Sequence, residues 1–196
     1  MRSFLLAAVA AAAVLPAAAQ AQTDPTPFTG LRAEALVGYD ALTSGEDSDG
    51  VVYGGAAGYD LPVGGITLGV EGEFTESSIK GRDSNLLVAG DSARVTLGRD
   101  LYVGGRVGFP LAPTTLLYGK IGYTNARINT RYTDGVTTVR DKAEADGLRL
   151  GAGLEKAIGT RAYIKGEYRY SNYKEIDDFD VDADRHQIMA GVGIRF

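Results

Sequence analysis

The sequence predicts an all-β protein, an eight-stranded antiparallel up-and-down β-barrel set in a membrane. Three observations predict it. Apolar residues recur at every second position in segment after segment, the connections alternate between tight and long, and aromatic residues gather at both ends of the apolar faces. Successive side chains of a strand point to opposite faces, so such alternation describes a sheet with one greasy side and one polar side. The segment His186 to Phe196 carries the pattern most plainly. Ile188, Ala190, Val192, Ile194 and Phe196 alternate there with Gln187, Met189, Gly191, Gly193 and Arg195, of which only Met189 is large and apolar. One such strand is common in soluble sheets. Its recurrence, with turns of alternating length, is the signature of an outer-membrane barrel.

Thr23 to Gly30, with Pro25 and Pro27, reads as an irregular lead-in. The first strand spans Leu31 to Tyr39, with Leu31, Ala33, Ala35, Val37 and Tyr39 on the greasy face and Arg32 and Glu34 on the other, where Leu36 is an exception. The second, Val51 to Leu61, offers Val51, Tyr53, Ala57, Tyr59 and Leu61, and the third, Ile66 to Thr75, offers Ile66, Leu68, Val70 and Phe74. The fourth runs from Ala93 to Phe109 with Val95, Leu97, Leu101, Val103, Val107 and Phe109 outward, and Arg99 on the same parity but above the membrane. The fifth begins near Thr115 and carries Leu117, Ile121 and Tyr123. Gly147 to Lys156 supplies Leu148, Leu150, Ala152 and Leu154, and Ala162 to Tyr170 supplies Ala162, Ile164, Tyr168 and Tyr170. The closing segment described above completes the set. No segment keeps a helical period, and no strand so read contains proline.

The tight connections are Pro62 to Gly65, Pro110 to Thr114 and Ala157 to Thr160; the long polar ones are Asp40 to Gly50, Glu76 to Ser92, Ala126 to Asp146 and Ser171 to Asp184. Short turns on one rim and long loops on the other place both ends of the barrel on the short-turn, periplasmic rim. On the greasy face Tyr59, Phe109 and Phe196 fall near that rim, while Tyr39, Tyr53, Phe74, Tyr123 and Tyr168 fall near the other. Paired aromatic belts suit the two membrane–water interfaces, where a ring can be half apolar and half wet.

Glycine decides which face is inside. The polar parity is rich in it (Gly58, Gly104, Gly122, Gly153, Gly191 and Gly193 among others), although glycine weakens a strand and gains little on a wet surface. Inside a narrow barrel it leaves room for long side chains opposite. Those share the parity: Arg32, Glu34, Glu71, Glu73, Arg106, Lys120, Arg149, Glu155, Lys165, Glu167, Arg169 and Arg195. Eight strands enclose a space that side chains just fill, so a network of paired charges without an open channel is expected. Loss of one partner, as in Glu167→Ala or Arg106→Ala, should destabilise the barrel. On the lipid face, Val192→Arg should be costly and Gly193→Ala milder.

Residues 1–21 read as a cleaved secretory signal peptide and 22–196 as the barrel domain. Met1-Arg2-Ser3 is cationic, Phe4 to Leu15 is apolar but too short to span a bilayer, and small residues up to Ala21 offer cleavage sites. The 196 residues include no Cys, which removes disulfides, thiolate metal sites and lipidated cysteine. A net charge of −5 without a dominant basic stretch argues against nucleic acid as a partner.

The residues also resemble a family. Leu116-Leu117-Tyr118-Gly119-Lys120-Ile121-Gly122-Tyr123 is similar to the fifth strand of small opacity-type, porin-like outer-membrane barrels. Leu150 to Glu155 with Lys165 to Tyr170 resembles their sixth and seventh strands, and Val192 to Phe196 their closing strand. The resemblance implies an outer-membrane location among lipid and lipopolysaccharide, and a role for Phe196 in the signal read by the outer-membrane assembly machinery. It implies surface loops that differ between members and could meet an extracellular ligand. Relatives that bind peptidoglycan do so through a further domain, so that property is not carried over.

No residue pattern calls for a cofactor or a metal. His186 is the single histidine; a nucleophile such as Ser171 oriented by Asp184 would have to come from a loop, and an interfacial histidine is the simpler reading. Asp177, Asp178, Asp180, Asp182 and Asp184 cluster in the last loop, but against a calcium-loop frame starting at Asp178 Ala183 stands where Gly is needed and Met189 where Glu is needed. Asp47-Ser48-Asp49-Gly50 is equally incomplete. The expected role is structural or interactive, with a narrow porin and a lipid A-modifying enzyme as the alternatives.

Overall fold

The structure, a computed structural model, describes residues 27–43, 48–84, 92–133, 138–176 and 179–196. The predicted signal peptide lies outside them. Nine β-segments follow in order: β1 (Gly30–Thr43), β2 (Ser48–Val63), β3 (Ile66–Ser77), β4 (Lys80–Ser84), β5 (Ser92–Ala112), β6 (Thr115–Thr133), β7 (Thr138–Ile158), β8 (Ala162–Ile176) and β9 (Phe179–Arg195). Every pairing is antiparallel. β3 and β4 are two halves of one barrel strand: both pair with β5, on either side of a break at Ser78 and Ile79. The barrel therefore has eight strands. It closes where β1 pairs with β9, Ala35 lying opposite Val192.

Burial alternates residue by residue, and it fixes the faces. Leu68, Val103, Val192 and Ile164 lie on the outside, while Arg32, Arg149, Arg169 and Glu155 are wholly buried within. The eight belt aromatics named above are all exposed. Along β1 the outward set from Leu31 to Tyr39 covers nine residues, the length a tilted strand needs to cross the hydrocarbon layer.

The strands run well beyond that layer. β5 and β7 each have 21 residues and β6 has 19. The segment read as a loop from Ala126 to Asp146 is mostly ladder, with Arg127 opposite Glu144 and Thr133 opposite Thr138. The other three long connections are likewise shortened by paired strand: β1 reaches Thr43, β4 occupies Lys80–Ser84, and β8 reaches Ile176. These extensions stand in water, where neither face needs to be greasy, so apolar alternation gives no sign of them.

Proline also sits inside the observed strands. Pro62 and Pro110 occupy the last ladder steps of β2 and β5, Pro110 beside a register shift before Ala112. A strand end or a bulge tolerates the missing N–H. The first tight turn shrinks to Gly64-Gly65, both at positive φ (57° and 90°), as a two-residue hairpin turn of the primed type demands.

Among the described side chains one predicted orientation is reversed, that of Leu97; Val95, read outward with it, has its side chain outside the described residues. A register shift between Leu97 and Asp100 inserts an extra residue in β5 opposite Arg127. Below the shift Leu101 and Val103 face lipid; above it Leu97 turns inward and is buried. The two apolar exceptions on the polar parity, Leu36 and Met189, meet each other inside the barrel with Val52 and Ala56. Phe28, from the irregular lead-in, is buried against Leu116 and Ala157 at the short-turn end.

Candidate functional site

All twelve charged residues read from the sequence lie buried inside the barrel, together with Asp40, Asp60, Asp100 and Arg185. The twelve comprise seven cations and five anions; the four additions bring the buried set, among the described residues, to eight of each. β1, β3, β5, β7, β8 and β9 each turn at least two of these charges inward, and β2 and β6 turn one each, Asp60 and Lys120. The side chains then meet across the barrel in three connected tiers.

Nearest the short turns, Arg32 reaches Glu71 at 2.5 Å, Glu34 at 2.5 Å and Asp60 at 3.1 Å. Arg195 joins Asp60 (3.0 Å) to Glu155 (2.8 Å), and Arg106 donates to Glu155 at 2.7 Å. In the middle, the Lys120 ammonium lies among Glu71 (2.9 Å), Glu73 (2.6 Å) and Glu167 (2.7 Å). Lys165 bridges Glu34 (2.5 Å) and Glu167 (3.3 Å), and Arg169 holds Glu73 at 2.8 Å and Glu167 closer still. Towards the long hairpins, Asp100 accepts from Arg149 and Arg185, each at 2.5 Å, and from the Thr124 hydroxyl at 2.7 Å. Arg185 also grips both oxygens of Asp40 (2.7 and 2.6 Å) in a bidentate pair.

Three buried tyrosines tie this network to the glycines. Tyr163 lies across Gly193, its register partner on β9, and donates to Glu34 at 2.7 Å with Arg195 over its ring. Tyr118 lies across Gly153 on β7, donates to Glu167 at 2.5 Å and is capped by Arg106, 4.0 Å from the ring centre. Tyr102 covers Gly104 and Gly122 under Lys120. A Cβ on Gly193 would come within 2.3 Å of the Tyr163 ring, and one on Gly153 within 2.7 Å of the Tyr118 hydroxyl. Gly193→Ala, expected to be milder than Val192→Arg, still meets an obstacle, since the ring would have to leave both its glycine and its carboxylate.

The histidine arrangement does not assemble. His186 faces outward, where its Nδ1 lies 2.7 Å from the Tyr168 hydroxyl and its ring packs on Tyr170. Ser171 faces inward, wholly buried, and accepts from Arg149. Asp184 accepts from Tyr170 (2.6 Å) and Asn172 (3.0 Å), which hold its carboxyl below the usual aspartate range. Serine and histidine are thus on opposite faces of the wall. Of the two acidic loop clusters, the side chains of 174–183, and those of Asp47 and Ser48, lie outside the described residues. Phe196 is exposed at the short-turn rim, and its N–H donates to the Leu31 carbonyl at 2.9 Å where β9 meets β1.

The comparisons agree with this architecture. The chain is 28% identical over 168 residues to the 22 kDa outer membrane protein of Rhizobium leguminosarum bv. viciae, covering 81% of this chain and 73% of that one. It is 28% identical over 162 residues to the 31 kDa outer-membrane immunogenic protein of Brucella melitensis biotype 1, covering 75% and 67%. Among solved structures it is similar in fold to Neisserial surface protein A (TM-score 0.58, 14% identity, 86% and 98% covered). A second is Ail, the attachment invasion locus protein of Yersinia pestis, in complex with the heparin analogue sucrose octasulfate (TM-score 0.55, 19% identity, 85% and 99% covered). Residues 6–196 match the outer membrane protein beta-barrel domain. With lipid-facing strands, two aromatic belts and these relatives, the chain belongs to that family and is an outer-membrane protein of a Gram-negative cell.

Proposed function

We propose that this protein is a non-conducting barrel with a structural and contact role: it braces the outer membrane and meets outside molecules through its four hairpin extensions. The observation that supports this reading most is the balance, among the described residues, of eight buried cations against eight buried anions, joined across all three tiers. A conduit for solutes needs an unobstructed path with sites weak enough to release what enters. Here Arg32 to Glu71, Lys120 to Glu73, Arg169 to Glu73 and Arg185 to Asp100 each span the interior to a strand that is not their neighbour. Planar-bilayer recording of the purified protein tests it: the expected trace has no steady single-channel steps, and reproducible steps would favour the porin alternative. The opposed faces of Ser171 and His186 weigh against the lipid A-modifying alternative, which unchanged lipid A masses from cells with and without the protein would also disfavour.

Residues 1–21 serve, in this reading, as a signal peptide removed on export. Phe196 contributes to the signal read by the assembly machinery, supported by its exposed ring at the β1–β9 closure. Phe196→Ala is expected to lower the heat-modifiable, membrane-inserted fraction several-fold in vivo while refolding from urea in detergent stays normal. Equal loss in both settings would assign the ring to stability instead.

A further inference from the structure

The short-turn mouth of the barrel is closed by an apolar plug of mixed origin. Phe28 is 1% exposed and packs on Leu116 and Ala157. The ladder holds two of the three: Leu116 of β6 lies opposite Glu155, and Ala157 of β7 opposite Tyr163. Phe28 is held otherwise, two residues before β1 in the irregular lead-in. Gly30 joins the lead-in to the strand. Its φ of 106° lies in the left-handed region, and a Cβ there would come within 2.7 Å of the Phe196 carbonyl oxygen. Glycine makes that bend without strain, so the backbone can leave the line of β1 at this point.

The other end of the interior is closed differently. Ala126, Ala145 and Tyr173 cluster there with Ile128, and all four are carried by β6, β7 and β8. Opening that end means breaking paired strands, whereas moving Phe28 means turning the chain at Gly30. The difference matters because of what lies behind the ring. The lower charge tier begins one step inward: Glu155, opposite Leu116, is shared by Arg106 and Arg195. Leu116 and the Thr67 hydroxyl both crowd the space over Gly108. Nε and Nη1 of Arg106, Nε of Arg195, the Thr67 hydroxyl and one oxygen of Asp60 are buried there without a protein hydrogen-bond partner among the described residues. Donors and acceptors so mixed suit water better than an ion of either sign.

From this we infer that Phe28 is a hinged stopper: it swings about Gly30 and admits water and small solutes from the periplasm to the lower charge tier, while the outer end stays shut. The inference deepens the closed-barrel reading proposed above and rests on it. Burial of one phenylalanine ring favours the shut form over the open one by roughly ten- to a hundredfold, so the mouth opens transiently. A ring carried by a strand would open far more rarely, because its backbone hydrogen bonds would have to break with it.

The sequence has no cysteine, so a single introduced thiol reports on the mouth alone. Ala157→Cys, folded in detergent, is treated with N-ethylmaleimide, and Thr160→Cys in the exposed turn serves as the reference. The thiol at position 157 should react to completion, but about ten- to a hundredfold more slowly than the one at 160. Adding Phe28→Ala should raise its rate about tenfold or more, whereas Phe28→Leu, which keeps most of the apolar burial, should raise it less than about threefold. Heat-modifiability gels check folding, and Leu116→Cys replaces Ala157→Cys if that variant does not fold. A thiol at 157 that never reacts would make the ring a fixed part of the wall and overturn the inference. So would equal rates with and without Phe28→Ala. Steady single-channel steps from the wild type, with the thiol still protected by Phe28, would refute the closed interior and leave the stopper standing.

Discussion

Glu167→Ala is expected to lower the free energy of unfolding by about 3–5 kcal/mol, the cost typical of breaking a buried ion pair from one side. One carboxylate oxygen of Glu167 receives Lys120 at 2.7 Å and also Arg169; the other receives the Tyr118 hydroxyl at 2.5 Å and Lys165 at 3.3 Å. Each cation keeps another acceptor, Lys120 on Glu71 and Glu73, Lys165 on Glu34, and Arg169 on Glu73. The lost energy therefore comes less from any single contact than from the buried set being left with one more cation than anions. The comparison is Glu144→Ala, whose bridges to Arg99 and Arg127 stand in water. An exposed pair contributes about 0–1 kcal/mol, so this variant should unfold near the wild type. Urea titration in lipid vesicles measures both. Similar small losses in the two would mean that water screens the interior as well as it screens the surface.

The charges that complete this network show where alternation stops being informative. Glu167 and Arg169 are legible because Tyr168 and Tyr170 flank them with an unbroken outward pattern, and the same holds for Arg32 and Glu34 on β1. Asp40 and Arg185 are not, because both lie where the outward residues turn polar and the strand looks like the start of a loop. Their bidentate pair nevertheless continues the ladder of Gly38 and Met189 into the extension. Asp60 has the right parity but sits beside a turn, where an aspartate is ordinary. Leu97 is misassigned for a different reason. A bulge adds one residue to one strand, and a period of two cannot survive an insertion of one. The signal was present in retrospect: Gly98 and Arg99 interrupt the greasy set at that point. Leu36 and Met189 are instructive in the opposite sense, since two misfits on one parity of adjacent strands are a packed pair rather than two errors.

Val192→Arg is expected to destabilise the inserted barrel by about 2–4 kcal/mol, as a cation near the bilayer midplane does in such barrels. Val192 lies opposite Ile164 on β8 and opposite Ala35 on β1, which is midway along the outward set from Leu31 to Tyr39. Neither neighbour offers a carboxylate, and the network behind the wall is unreachable because adjacent positions of β9 point the other way. Two glycine substitutions give the test its resolution. Gly166 faces lipid beside Ala190, and a Cβ added there meets nothing within 4 Å, so Gly166→Ala should be neutral or slightly favourable. Gly193 is next to Val192 but faces the Tyr163 ring, and Gly193→Ala should cost far more than Gly166→Ala because that ring cannot shift without releasing Glu34. The same methyl group is thus expected to be harmless on one face and damaging on the other. Equal unfolding curves for Gly166→Ala and Gly193→Ala, or free tolerance of Val192→Arg, would contradict a wall with lipid outside and tyrosine-covered glycines within.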